Sequence, residues 1–452
     1  MRLIIVGAGY CGTMLAAQLL RRSSASLDIT LVEQSGRYGP GIAYHPGDDE
    51  LILNVVAERM GASPADIGEF QRWCVESGAK RNAKPGEFLP RSLYALYLTS
   101  LLRDAQSRAS AACRLKLLSA EVVDAHSDPT GAHVRLRNGD VLDAQAVVFA
   151  LGNLPARRAF PELPESHFTF DPWRATGWRS ILPTRTVLVI GSGLTAVDIL
   201  SSLIRSGHQG PLLCVSRHGL MSRVRVDPPE QVAVNAERFL RCRTMRDVVA
   251  TFREEVDRIG NWQSAVDTLR PHIPTIWRKL PSDEQKRFLR HLASIWNAYC
   301  HRMPQQTAEL ISKGVAAKQL QITAGRVLSA ELVEGRVRAT VLRRGSAAPE
   351  DILVDHIVDC RGSPDNPRKV DSDLIRSLLA SEQIAVHPSG VGLACDESGY
   401  RLLNPATGQS RFYVLGNALR GERWESTAVP QLRGQTVELA DLLLRSSERA
   451  LS

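Results

Sequence analysis

The sequence predicts an α/β chain of two Rossmann-like dinucleotide-binding domains, the second inserted in the first, with a helical insertion. Two observations predict it. An apolar run, a Gly-X-Gly turn and a helix-like pattern follow one another in MRLIIVGAGYCGTMLAAQLLRR and again in RTVLVIGSGLTAVDILSSLIRSG. Each copy is followed by a second apolar run about twenty residues on, as the phosphate-binding βαβ unit requires.

In the first copy, Leu3 to Val6 read as a short buried strand. Gly7 permits the tight turn, Gly9 admits a pyrophosphate, and Gly12 lets the next helix pack on the strand. The helix N-terminus then offers N–H groups and a positive dipole end to phosphate. LDITLVEQ places Glu33 at the end of the next apolar run, 21 residues past Gly12, where an acid binds a ribose hydroxyl. In the second copy Gly191 and Gly193 hold the first two positions and Ala196 the third. Its next strand, PLLCVSRHG, ends in Ser216 and Arg217 instead of an acid. An arginine there suits a 2′-phosphate, and His218 adds donors, so NADPH is expected, with NADH as the alternative.

AEVVDAHSD, GAHVRLRNGDVLDA and AVVFALGN alternate like strands, the last running into Leu151-Gly152-Asn153. FPELPESHFTFDPW reads as a linker. Residues 230–312 are helical in pattern, QITAGRVLSAELVEGRVRATVLRRG is strand and hairpin, and DILVDHIVDCRG is a closing strand. RFYVLGNAL then returns to the first unit, and a final helix starts near Gln431.

The 452 residues suffice for two or three cores. Hydrophobic content of 44% and charged content of 23% fit a globular chain, and no apolar run reaches membrane-spanning length. A net charge of +8 suits anionic nucleotides, while no nucleic-acid motif appears. Eight singly scattered cysteines, without CxxC, imply reduced thiols in a cytoplasm and neither a zinc site nor a redox disulfide. No metal-ligand cluster is expected.

The motifs GPGIAY, LILNVVAERM, EFLPRSLYALYL, VFALGN, VLVIGSGLTAVD, VSRHG and WESTAVPQLRGQ occur in this order. The chain thereby resembles the two-dinucleotide-binding-domain flavoproteins, and within them the FAD/NAD(P)-binding monooxygenase family that includes bacterial FAD-dependent urate hydroxylases and amino-acid N-hydroxylases. The resemblance implies one nucleotide unit for FAD and one for NAD(P)H, because hydride must pass between them. It implies FAD-domain segments at 1–160 and 371–452, a linker at 161–183, NAD(P)-domain segments at 184–229 and 313–370, and a substrate-related helical insertion at 230–312. It places Tyr44, Asn54, Arg91, Val122, Gly152, Gly416, Asn417, Gln431 and Leu432 with the glycine loop and Glu33 around FAD. Leu194, Thr195, Arg217 and His218 join Gly191 and Gly193 at NAD(P)H. From the residues themselves, Gly39 and Gly41 leave room for backbone beside a flat ring, and the helix opening at Pro430, Gln431 and Leu432 directs its dipole at reduced flavin.

Cys11 has no partner thiol four residues away, so electrons are expected to leave through oxygen and not through thiols. The resemblance then implies hydroxylation of a small molecule with O₂ through a flavin C4a-hydroperoxide. His167, Asp171 and Trp173 only echo the Baeyer–Villiger fingerprint, whose glycine position is Leu163 here. In QKRFLRHLASIWNAYCHRMP, Phe288, Leu292, Ile295 and Tyr299 fall on one helix face. Arg290, His291, Asn297, His301 and Arg302 surround the other. His291, His301 and Arg302, with Arg91, are the candidate catalytic residues, and their basicity suits an anionic heterocycle, urate first. Amino-acid N-hydroxylation is the alternative, followed by an NAD(P)H oxidase without oxygen insertion.

Overall fold

The computed structural model describes residues 1–44, 50–174, 177–226, 231–408 and 410–449. The expected boundary at 229/230 and residues 450–452 lie outside the described residues. The chain forms two compact units. The fold is α/β, with a parallel glycine-turn sheet in each.

The first unit comprises Met1–Leu154, Pro271–Ser282 and Pro364–Ser452. Its parallel sheet has the order Phe412–Val414, Ala146–Phe149, Arg2–Val6, Leu27–Glu33, Cys113–Ser119. The glycine-turn strand is central, with Val6 beside Val32 on one flank and beside Phe149 on the other. Strands buried on both faces must be apolar, and Leu3–Val6 and AVVF are, while Arg2 at the strand start is exposed. Helix Tyr10–Arg22 buries ten of its thirteen residues against this sheet. Three short antiparallel strands, Val122–Ser127, Ala132–Leu136 and Val141–Ala144, form a second sheet in the same unit.

The second unit comprises Pro155–Arg270 and Asp283–Ser363. Its sheet runs Glu350–Val354, Arg336–Arg343, Leu320–Val333, Leu212–Ser216, Val187–Ile190, His356–Asp359, Phe168–Thr169. The last five strands in that order are parallel, and the first two join as an antiparallel extension. The insertion helices are set by local signals. Thr244 and Asp247 form a capping box before Met245–Ile259, Gly260 ends that helix at φ +72°, and Asn261 caps Trp262–Leu269.

Four sequence expectations change. DILVDHIVDCRG is two strands, of which only His356–Asp359 lies beside the second glycine-turn strand. Residues 161–183 are more than a linker, because Phe168–Thr169 extends the second sheet and Thr169 Oγ1 bonds His356 Nε2 at 2.8 Å. The helix spanning QKRFLRHLASIWNAYC is two, Ser282–His291 and Ala293–Cys300, parted at Leu292 (φ −119°). The break turns Ile295 outward to 43% exposure while Phe288 stays buried. Finally, Pro271–Ser282 belongs to the first unit. There the Trp277 indole N–H donates to Gly421 O at 2.6 Å, and its ring lies 5.2 Å from that of Trp424.

Candidate cofactor sites

The first glycine turn is held by backbone. Gly7 N–H donates to Val32 O (2.8 Å), and Gly7 has φ +99°. Ala8 N–H donates to the Glu33 carboxylate at 2.9 Å, which places that acid at the turn. A Cβ on Gly12 would sit 1.9 Å from Gly7 O, so the helix approaches the turn as closely as backbone permits. Gly9 caps the helix without any side-chain bond, and no acid stands in the first turn. Its N–H groups are therefore available to an anion.

Gly39 and Gly41 lie against this turn. Gly39 N–H donates to Ala8 O (2.9 Å), and a Cβ on Gly41 would lie 2.8 Å from Gly9 Cα. The neighbour that requires Gly41 is the glycine turn itself, whereas a Cβ on Gly39 would meet Thr99 Oγ1 at 2.8 Å.

Residues more than 400 positions later close on the same place. A Cβ on Gly416 (φ +79°) would lie 3.1 Å from Cys11 Sγ and 3.9 Å from Leu432 Cδ2. Gly416 N–H donates to Gln435 Oε1 at 3.2 Å. Helix Val429–Arg449 starts beside it, and the N–H groups of Gln431 and Leu432 both donate to Ala428 O at 3.0 Å. Those two amides are thus engaged within the helix start. The side chains differ: Asn417 Oδ1 and Gln431 Oε1 are buried without a hydrogen-bond partner. Buried orphan acceptors beside an uncapped glycine-turn helix fit a bound FAD, which carries donors and a pyrophosphate.

Tyr44, Asn54 and Arg91 lie on the segments flanking this region. Arg91 opens helix Arg91–Ser107, and its Nε donates to Ile52 O at 3.1 Å. Tyr44 stacks edge-on against Tyr94 at 4.7 Å. Burial raises the Tyr44 phenol, and the Arg91 charge opposes this. Asn54 is half-buried in a bend after the isolated bridge at Ile52. Val122 is buried in the three-stranded sheet opposite Leu136, and Gly152 is an exposed turn residue at φ +62°.

The second glycine turn repeats the first. Gly191 N–H donates to Val215 O (2.8 Å) at φ +111°, and Gly193 caps helix Leu194–Arg205 with open space where a Cβ would go. Trp173 Nε1 donates to Thr195 Oγ1 at 3.4 Å, so the former linker packs on this helix start. Ser192 Oγ lies 2.8 Å from Ser216 Oγ and fixes the strand end. Beyond it Arg217 is exposed, and His218 Nδ1 accepts from Arg344 Nη1 at 3.2 Å. Burial, then Arg344, Arg217 and Arg326, hold His218 below its ordinary pKa. Arg217 follows the strand end at Ser216, Arg344 follows the strand end at Arg343, and Arg326 comes from within Leu320–Val333, so three arginines act on one imidazole. Arg326 and Arg344 come from a hairpin a hundred residues away, which no local pattern announces.

The basic candidates of the insertion are not gathered into one face. His291 is exposed at the end of its helix, and His301 caps Ala293–Cys300. Arg302 is 3% exposed, pairs with Asp267, and donates to Gln263 Oε1 at 2.5 Å. Arg225 is also buried and lies 4.0 Å from Asp267. Burial lowers the Arg302 pKa, and Asp267 opposes it. Its charge is spent inside the second unit, which corrects its reading as a surface anion binder.

The sequence profile of the FAD-NAD(P)-binding family matches residues 4–154, within the first unit. No curated protein sequence matches the chain. Among solved structures, the ornithine N-hydroxylase of Kutzneria sp. 744 superposes with a TM-score of 0.66 at 17% identity, covering 98% of this chain and 99% of its own. L-lysine 6-monooxygenase from Pseudomonas syringae gives 0.67 at 16% identity, with 98% and 99% covered. Thioredoxin reductase of Lactococcus lactis gives 0.52 at 11% identity over 98% of both chains. These likenesses establish the fold, which carries oxygenase and reductase chemistry alike. Among the described residues no helix is long and apolar enough to cross a membrane.

Proposed function

We propose that the chain is an FAD- and NADPH-dependent monooxygenase that hydroxylates the nitrogen of a small primary amine of the amino-acid kind. The observation that carries oxygenase over reductase is Cys11. Among the described residues all eight cysteines are free, so Cys11 at the first glycine turn has no partner thiol through which electrons could leave, and burial raises it further from a thiol poised for exchange. The amine is supported by likeness, over nearly the whole chain, to hydroxylases of ornithine and lysine. The urate reading loses its main residue, since Arg302 is committed to Asp267.

FAD would be held by Gly7, Gly9, Gly12 and Glu33, with Asn417 and Gln431 supplying acceptors. Bound flavin supplies the reduced ring on which dioxygen is activated, and the nicotinamide supplies hydride. NADPH would lie on the Gly191–Gly193 turn, its 2′-phosphate among Arg217, His218, Arg326 and Arg344. Two or more guanidiniums with no acid between them favour a phosphate over a ribose hydroxyl.

The test is turnover by the purified FAD-loaded chain with NADPH and L-ornithine, L-lysine, cadaverine or urate. We expect an amine to gain one oxygen on nitrogen in proportion to NADPH consumed. Stoichiometric loss of urate, or peroxide equal to NADPH with every compound, overturns the proposal.

A further inference from the structure

The two glycine turns share a backbone course and differ in two side chains. In the first unit Val6 pairs with Phe149, and Ala150 N–H donates to Val6 O at 2.8 Å. Leu151 and Gly152 (φ +62°) follow. In the second unit Ile190 pairs with Asp359, and Cys360 N–H donates to Ile190 O at 2.8 Å. Arg361 and Gly362 (φ +75°) follow. A carboxylate and a guanidinium thus stand where the first unit has a phenylalanine and a leucine.

The Asp359 side chain is 6% exposed and that of Arg361 is 48% exposed. Asp359 Oδ1 accepts from Arg361 N–H at 3.2 Å and from Nε at 2.8 Å, and Oδ2 accepts from Nη2 at 2.5 Å. The buried carboxylate is therefore spent on one residue two positions away. Nη1 of Arg361 has no hydrogen-bond partner among the described residues.

A carboxylate taken out of water is costly, and its ion pair regains that cost only with excellent geometry. The first unit builds the same turn with Phe149 and Leu151, so the turn does not demand the pair. What the pair achieves is direction. Asp359 grips one edge of the guanidinium in a two-pronged contact and leaves the other edge for an anion.

The topology says where that edge stands. Val187–Ile190 lies between Leu212–Ser216 and His356–Asp359. The chain leaves it through helix Leu194–Arg205 toward the former, and the latter closes its other side, so the strand order reverses there. Ligands of such sheets occupy the crevice outside the carboxyl ends at that reversal. Arg361 is at its mouth, with its backbone nitrogen 3.2 Å from where a Cβ on Gly191 would lie. Helix Leu194–Arg205 opens there with no side-chain cap and no acid in its first turn. Arg217, Arg326 and Arg344 belong to the opposite flank, on or just past Leu212–Ser216, Leu320–Val333 and Arg336–Arg343.

We propose that Arg361, aimed by Asp359, binds the pyrophosphate of the nicotinamide nucleotide, the part that NADH and NADPH share. This rests on the nicotinamide reading of the second glycine turn given above. Asp359 is then a positioning residue. Recognition divides in two: Arg217, Arg326 and Arg344 read the 2′-phosphate, and Arg361 holds the diphosphate bridge.

The experiment is inhibition of NADPH oxidation by the FAD-loaded protein with two competitors. ADP-ribose carries the pyrophosphate without a 2′-phosphate, and 2′-AMP carries the 2′-phosphate without a pyrophosphate. Arg361→Ala should raise Ki for ADP-ribose about tenfold or more, as loss of a charge-assisted hydrogen bond does. KM for NADPH and KM for NADH should rise together, and Ki for 2′-AMP should stay at the wild-type value. Arg361→Lys should restore part of the loss. Asp359→Asn keeps the cation but loosens its direction, and should give a smaller rise with the same split. An unchanged Ki for ADP-ribose overturns the proposal. So does an equal rise for both competitors, the mark of a merely structural pair. If Arg361→Ala strands the Asp359 charge and does not fold, the Asp359→Asn, Arg361→Gln double variant removes both charges and is judged by the same split. A wild-type chain that oxidises neither NADPH nor NADH defeats the nicotinamide reading itself, so the two failures are told apart.

Discussion

Gly7 meets the carbonyl of Ala150 so closely that a Cβ on the glycine would lie 2.4 Å from that oxygen. The second unit repeats the relationship between Gly191 and Cys360, at 2.7 Å. In both, the turn after the central strand is wedged against the end of the returning strand. The glycine is demanded by φ and by contact, whatever binds there.

Gly7 and Gly9 therefore separate folding from binding. Gly7→Ala adds both strain and a backbone clash, and should lower Tm of the chain even without cofactor. Gly9 has φ −72°, and a Cβ there meets only Gly41 Cα at 3.6 Å. Gly9→Ala should keep the apo-protein melting temperature and weaken FAD binding at least tenfold, read as yellow colour retained on desalting.

Arg344→Ala should raise KM for NADPH by the equivalent of about 1.5–3 kcal/mol, the range for hydrogen bonds to charged groups. KM for NADH should change little. Steady-state kinetics with both nucleotides decides, and equal changes would remove Arg344 from the phosphate site.

Asp267 neutralises Arg302 in the interior. Asp267→Ala should cost about 3–5 kcal/mol, because it strands a buried cation. Urea unfolding followed by tryptophan fluorescence measures this. A loss under 1 kcal/mol would mean that the pair behaves as a surface salt bridge.

Burial depresses His356 to about 4 from its ordinary 6.5, with Ser166 O holding the other ring nitrogen at 3.2 Å. A depressed folded-state pKa means that the unfolded chain binds the proton first. The stabilisation is complete above pH 6.5 and is lost progressively as pH falls toward 4, by up to about 3 kcal/mol. Melting temperature against pH should show this slope, and His356→Gln should flatten it.

The glycine turns, the strands that flank them and the acid at Glu33 were legible in the sequence because each depends on local spacing. The break at Leu292 was not, since Phe288, Leu292, Ile295 and Tyr299 keep helical spacing across it. Arg302 misled for a related reason: a pattern shows which face a residue occupies, but its partner Asp267 lies 35 positions earlier. Arg326 and Arg344 gain their meaning only from what the fold brings beside them. Gly41 and Gly39 read correctly as close-approach residues, yet the approaching group was another stretch of this chain.

The Trp277 segment bears on how such a chain can be cut and pasted. Membership changes at 154/155, 270/271, 282/283 and 363/364, so the peptide crosses between units four times, where a simple insertion needs two crossings. Neither unit is a contiguous cassette. Excising 155–363 to obtain the first unit alone would remove Pro271–Ser282 with it and leave Gly421 O without its indole donor. Grafting 155–363 into another host would carry along a helix built for a different core. Recombination, truncation and chimera design in this architecture must therefore treat 271–282 as cargo of the first unit, however far inside the second its codons lie.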